Sequence, residues 1–96
     1  MASKPLARIK RLVEEGRYEI SNHALDEAME DDLHRLDIES GILTGRLQRV
    51  QKGDRRGLKY VIVGRATDLQ RRLGVVVRFK SEHLCAIITV YEIQEG

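Results

Sequence analysis

Leu73-Gly74-Val75-Val76-Val77-Arg78-Phe79-Lys80, followed after three residues by Leu84-Cys85-Ala86-Ile87-Ile88-Thr89-Val90-Tyr91, is the stretch that decides the architecture. In the first segment Leu73, Val75, Val77 and Phe79 alternate with Gly74, Val76, Arg78 and Lys80, the two-residue period of a strand with one packed face and one partly wet face. The second segment is apolar on both faces, as suits a central strand. Upstream, Arg46 to Gln51 and Leu58 to Ala66 carry the same extended pattern, separated by loops rich in Gly, Asp and Ser. These spacers are too short for the crossover helix that parallel neighbours require, so the expected sheet is a four-stranded antiparallel meander.

Before Gly45 the period is helical. Ser3 can cap a helix with Pro5 in its first turn and Leu6, Ile9, Leu12 and Val13 on one side, running to Gly16. Arg17 to Ile20 is short and β-leaning. Ser21 and Asn22 then open a second helix expected to bury Ala24, Leu25, Ala28 and Met29. Glu30, Asp31 and Asp32 crowd its C-terminal end, where the helix dipole disfavours anions. A third helix, Leu36 to Leu43, is expected to bury Leu36, Ile38, Ile42 and Leu43 and to stop at Gly45. The chain reads as one α+β domain over residues 1–96, its N-terminal helices packed on one face of the C-terminal sheet.

With 42% apolar and 33% charged residues, the 96-residue composition is that of a globular domain and not of a disordered chain. No apolar run approaches the roughly 20 residues of a membrane span, and the first residues lack a secretory apolar region. A cytoplasmic protein without membrane partners is expected. Cys85, between Leu84 and Ala86, reads as a buried and inert thiol. His83 and Cys85, with His23 and His34, match no closed zinc spacing, so no metal or other cofactor is expected.

Charge is the informative property. Eleven of the 17 Lys and Arg residues lie between Arg46 and Lys80 with only Asp54 and Asp68 among them, whereas seven of the 15 acids lie between Asp26 and Glu39. The formal net charge of +2 conceals this segregation, and a segregated field makes nucleic acid the first ligand class to weigh. Arg46 and Arg49 fall on the first meander strand, Arg55 and Arg56 in the following loop, Lys59 and Arg65 on the second strand, and Arg71 and Arg72 before the third. Adjoining strand faces would form a positive groove for single-stranded RNA, with Tyr60 and Tyr91 as base-stacking rings. The same residues also suit a solvated sheet face whose long stems cover apolar atoms. His23, at the start of the second helix, suits either a helix cap or a proton-transfer group.

Ser21-Asn22-His23-Ala24, Leu33 with Asp37 and Ile38 ahead of Gly45, Asp54, Lys59-Tyr60-Val61-Ile62-Val63-Gly64, Val75-Val76-Val77 and Ile88-Thr89-Val90-Tyr91 together resemble the DUF4258 family. That family is similar in layout to the RelE-like and BrnT-like ribonuclease toxins. The resemblance implies a type II toxin-like endoribonuclease, independent of metal, in which a ribose 2′-hydroxyl attacks the neighbouring phosphate. His23 or Tyr91 would then transfer protons, Arg65 and Arg78 would hold the phosphate, and Lys59 with Tyr60 would place the strand. It also implies an antitoxin partner; a homodimer through the edge strand Arg46 to Gln51 is the other expected assembly. Where the second helix of the family commonly carries Arg after His-Ala, this chain has Glu27 and Asp31. The alternative is a non-catalytic module of the same fold that binds nucleic acid or protein.

Overall fold

In the computed structural model, residues 3–53 and 55–94 are described; Asp54, one of the positions carrying the family resemblance, lies outside them. Helix α1 spans Lys4–Glu14, with Ser3 Oγ accepting from the Leu6 N–H and Ile9, Leu12 and Val13 turned into the core. It closes on Gly16, whose φ of 73° allows Arg17 N–H to reach back to Leu12 O at 2.7 Å. Strand β1 is Tyr18–Ile20, α2 is Asn22–Glu30 and α3 is Arg35–Leu43. The chain then enters β2 (Arg46–Gln51), β3 (Lys59–Arg65), β4 (Arg72–Ser81) and β5 (Leu84–Ile93).

The sheet corrects the four-stranded expectation. Its order is β1-β5-β4-β3-β2: the antiparallel meander gains a fifth strand, β1, which pairs in parallel with β5 through Tyr18 and Cys85, Glu19 and Ala86, and Ile20 and Ile87. Short spacers forbid parallel pairing only between consecutive strands. Here two helices and three strands separate the partners in sequence, so closure is sterically free. All three helices pack on one face, against Ile62, Leu73, Val75, Val77, Cys85, Ile87 and Val90.

Two helical burial expectations also need correction. In α2 only Ala24 and Ala28 are buried, while Met29 is 76% exposed; in α3 Ile38, Gly41 and Ile42 face the sheet, while Leu36 is 67% exposed. Leu25 and Leu43 are likewise exposed. Helix α2 stands beside β5 past the end of β1, so a narrow ridge of small residues suffices for contact. Helix α3 lies almost backbone to backbone on β3, because a methyl group at Gly64 would overlap the carbonyl oxygen of Gly41.

Polar contacts tie the helices down. Asp37, 3% exposed, accepts from His34 N–H (3.0 Å), Thr67 N–H (3.0 Å) and Thr67 Oγ1 (2.6 Å). Burial alone would raise its pKa. The Thr67 and His34 hydrogen bonds, with Arg71 Nη2 at 3.9 Å, outweigh burial and hold the carboxyl at about 2. Arg71 also donates to the carbonyls of Asp31 and Asp32 at the end of α2 and pairs with Asp68 at 3.3 Å. The cation therefore sits where the α2 dipole is negative, which offsets the acids crowded there. At the other end of the sheet Tyr18 Oη donates to Glu39 and accepts from Arg35 Nε, joining β1 to α3.

Candidate nucleic-acid interface

The strand registers sort the basic residues. Helix-facing positions of β4 are Leu73, Val75 and Val77, so their neighbours Arg72, Gly74, Val76, Arg78 and Lys80 stand on the open face. Across the strands, Arg65 lies opposite Arg72, Arg46 opposite Val63 and through it Gly74 and Tyr91, and Arg49 opposite Val61, Val76 and Thr89. Farther along, Gln51 lies opposite Lys59, and Arg78 opposite Ala86 and Glu19; Lys59 and Arg78 are the residues next to the paired Tyr60 and Val77. Seven cationic side chains, Arg46, Arg49, Lys59, Arg65, Arg72, Arg78 and Lys80, thus leave the sheet on one side. Among the described strand residues, Glu19 is the one carboxylate there, and it pairs with Lys80 at 2.9 Å.

Like charges placed directly opposite, as Arg65 and Arg72 are, oppose sheet pairing. The middle of the face is apolar, with Val61, Val63, Val76 and Gly74 forming a floor. Val61 is only 1% exposed although it stands on the side away from the helix-facing residues, as expected where the apolar stems of Lys and Arg neighbours lie over a sheet. The ring of Tyr91 lies over Gly74, where a methyl group would overlap it. A flat aromatic ring can stack a base while the cations around it neutralise the neighbouring phosphate.

Two depressions mark the ends of the face. One, about 620 Å³, is lined by Thr44, Arg46, Gln48, Val63, Arg65 and Arg72. The other, about 150 Å³, is lined by Ser21, Arg56, Lys59, Arg78, Ala86 and Ile88. Six residue steps of β4 separate Arg72 from Arg78, about 20 Å at strand rise. Arg65, opposite Arg72, therefore cannot share a single phosphate with Arg78.

Other expected site residues are placed elsewhere. Tyr60 is on the helix face, its ring packed edge-on against Phe79 at 5.5 Å, so it offers no stacking surface. Arg71 is occupied with the α2 terminus and with Asp37 and Asp68. Arg55 and Arg56 lie in the β2–β3 loop, and Arg56 alone of the two lines the smaller depression. His23 is 69% exposed on α2 with Nε2 3.3 Å from Glu27, and the Ser21 hydroxyl, not His23, caps the helix by accepting from Ala24 N–H. His83 is exposed in the β4–β5 turn, whereas Cys85 points into the core, and burial raises its pKa to about 11. The two do not share a face.

Glu27 and Asp31 acquire a role that their residue types alone did not reveal. Glu27 Oε1 accepts the N–H of Val90 at 3.1 Å, and Asp31 Oδ2 accepts that of Glu92 at 3.1 Å. Their spacing of four residues puts both on one helix side, which is the sequence signal available for such a pair. Together they occupy donors of β5 beyond the reach of β1.

A family model described as a domain of unknown function, DUF4258, matches residues 20–92. The chain belongs to this family. No curated protein and no solved structure matches it. The DUF4258 match begins at the last residue of β1 and ends one residue before the end of β5, so it contains all of α2, α3 and the cationic meander. Among the described residues, no helix is long and apolar enough to cross a membrane.

Proposed function

We propose that the open face of the sheet binds single-stranded RNA. The observation carrying this reading is the register that sends Arg46, Arg49, Lys59, Arg65, Arg72, Arg78 and Lys80 to the same side, around an apolar floor with Tyr91 in it. Phosphate contacts would supply most of the affinity and the ring a sequence-tolerant stacking surface. A duplex is disfavoured as ligand because its bases are already stacked and cannot use Tyr91.

A RelE-like or BrnT-like layout, which the sequence resemblance implies, would favour RNA as the polymer and adds a second reading, metal-independent cleavage by 2′-hydroxyl attack. One observation favours it. The Tyr91 phenol stands in the row next to Arg65 and Arg72, where it can exchange a proton while guanidinium groups stabilise the crowded phosphate. His23, paired with Glu27 on α2, has no part in this arrangement. A protein partner, whether an antitoxin or a second copy, would find its longest available sheet edge at β2.

Fluorescence anisotropy with a short labelled RNA, repeated over a range of salt, tests the binding claim. Affinity should fall steeply with salt, and Arg46→Ala or Arg49→Ala should each lower the slope by about 1. A flat salt dependence defeats it. Induced expression in bacteria with transcripts followed tests cleavage: cut messages that become intact with Tyr91→Phe support it, and intact messages with the unaltered protein refute it.

A further inference from the structure

We infer that the small depression between Arg56, Lys59 and Arg78 takes the terminal phosphate of the bound strand, so that the face holds a chain end. The inference rests on the RNA-binding reading and refines it. Size is the first argument. At about 150 Å³ this depression falls below the roughly 300 Å³ at which ligand sites for small organic molecules begin, whereas the 620 Å³ depression at Arg46, Arg65 and Arg72 lies within that range. A phosphate group fits the first; a nucleoside fits only the second.

Charge is the second argument. Three cationic residues line the small depression over a floor of Ala86 and Ile88. An internal phosphodiester carries one negative charge, whereas a terminal phosphomonoester carries about −1.5 to −2 at neutral pH and three strong acceptor oxygens. Lys59 and Arg78 together match the charge of the latter.

The third argument is where the positive run ends. Beyond Arg78 on β4 comes Lys80, and its ammonium is held at 2.9 Å by Glu19. Glu19 is in the same row as Ala86 and Arg78. A strand that passed the depression would meet a neutralised cation and a carboxylate. Backbone phosphates are thus attracted from Arg65 and Arg72 as far as Lys59 and Arg78, and are not attracted farther.

The test compares one short RNA sequence in three forms: hydroxyl at both ends, 5′-phosphate, and 3′-phosphate. Phosphorylation at one end should raise affinity about tenfold. This gain should vanish in Lys59→Ala and Arg78→Ala, and should persist in Arg46→Ala, which weakens all three forms together. Glu19→Gln should narrow the preference by letting an unphosphorylated strand continue past the depression. Thermal unfolding of each variant separates loss of the site from loss of the fold, and Lys59→Gln replaces any variant that unfolds. Equal affinity for the three forms, with salt-dependent binding intact, overturns the end site and leaves the RNA reading standing. Failure to bind any of them overturns both.

Discussion

Glu27 and Val90 are joined by a carboxylate-to-amide hydrogen bond of 3.1 Å that crosses from α2 to the outer edge of β5. With Asp31 and Glu92 repeating it one helical turn later, the helix supplies the acceptors that another strand would otherwise provide. Charged acceptors make such bonds stronger than neutral ones. Glu27→Ala should therefore lower stability by about 2 kcal/mol in urea unfolding. The double variant with Asp31→Ala should also gain a tendency to self-associate, seen in light scattering, because bare strand edges template pairing. His23→Ala should change stability by less than about 0.5 kcal/mol, as for exposed substitutions generally.

Asp37 sets the acid limit of the fold. Its carboxyl is held at about 2 against an ordinary 3.8, so its ionised form stabilises the folded state above about pH 4 and that contribution is lost as pH falls through about 2. Asp37→Asn should cost about 2 kcal/mol at neutral pH. It should also flatten the fall of stability between pH 4 and 2, measured by urea unfolding at each pH.

The closing turns of α1 and α2 form a natural comparison. Both end with the same pair of reversed hydrogen bonds, yet α1 uses Gly16 at φ 73° and α2 uses Asp32 at φ 55°. A side chain in that region is strained where glycine is not. Asp32→Gly should raise stability by roughly 0.5–1 kcal/mol, and Gly16→Ala should lower it by a similar amount. Thermal unfolding reads both.

Stability and affinity should separate between Arg71 and Arg49. Arg71→Ala removes donors to the α2 terminus and a cation beside Asp37; it should cost about 2 kcal/mol in stability and leave RNA affinity within about twofold. Arg49→Ala should leave stability within about 0.5 kcal/mol and weaken RNA binding. An Arg71→Ala protein of normal stability and reduced affinity contradicts this division.

The helices and the meander were legible in the sequence because their cause is local: period, caps and the glycine at Gly16 act within a few residues. Register was legible in part. Even spacing put Lys59 with Arg65, and Arg72 with Arg78 and Lys80, on shared faces, and these faces do adjoin. Three things were not legible, and each depends on contacts distant in sequence. Tyr18 finds Cys85 across most of the chain, so nothing local marks β1 as a sheet member. Alternation already sets Tyr60 on the face away from Lys59 and Arg65, but that this face is the one the helices cover depends on its pairing with Val77. Arg71 reads as one more cation until Asp37 and the end of α2 are brought to it.

The two borders of the sheet differ in openness. On the far side three residues of β1 and the carboxylates of α2 leave little to pair with, whereas β2 presents all of Arg46–Gln51. Growth of the sheet is thus directed one way. A sixth strand laid along β2 would run beside Arg46 and Arg49, and its own outward side chains would prolong or block the ribbon of cations. Under the RNA-binding proposal, acidic residues on such an addition would compete with the polymer and basic ones would widen its track, so occupancy of that border and affinity for polyanions would be thermodynamically linked.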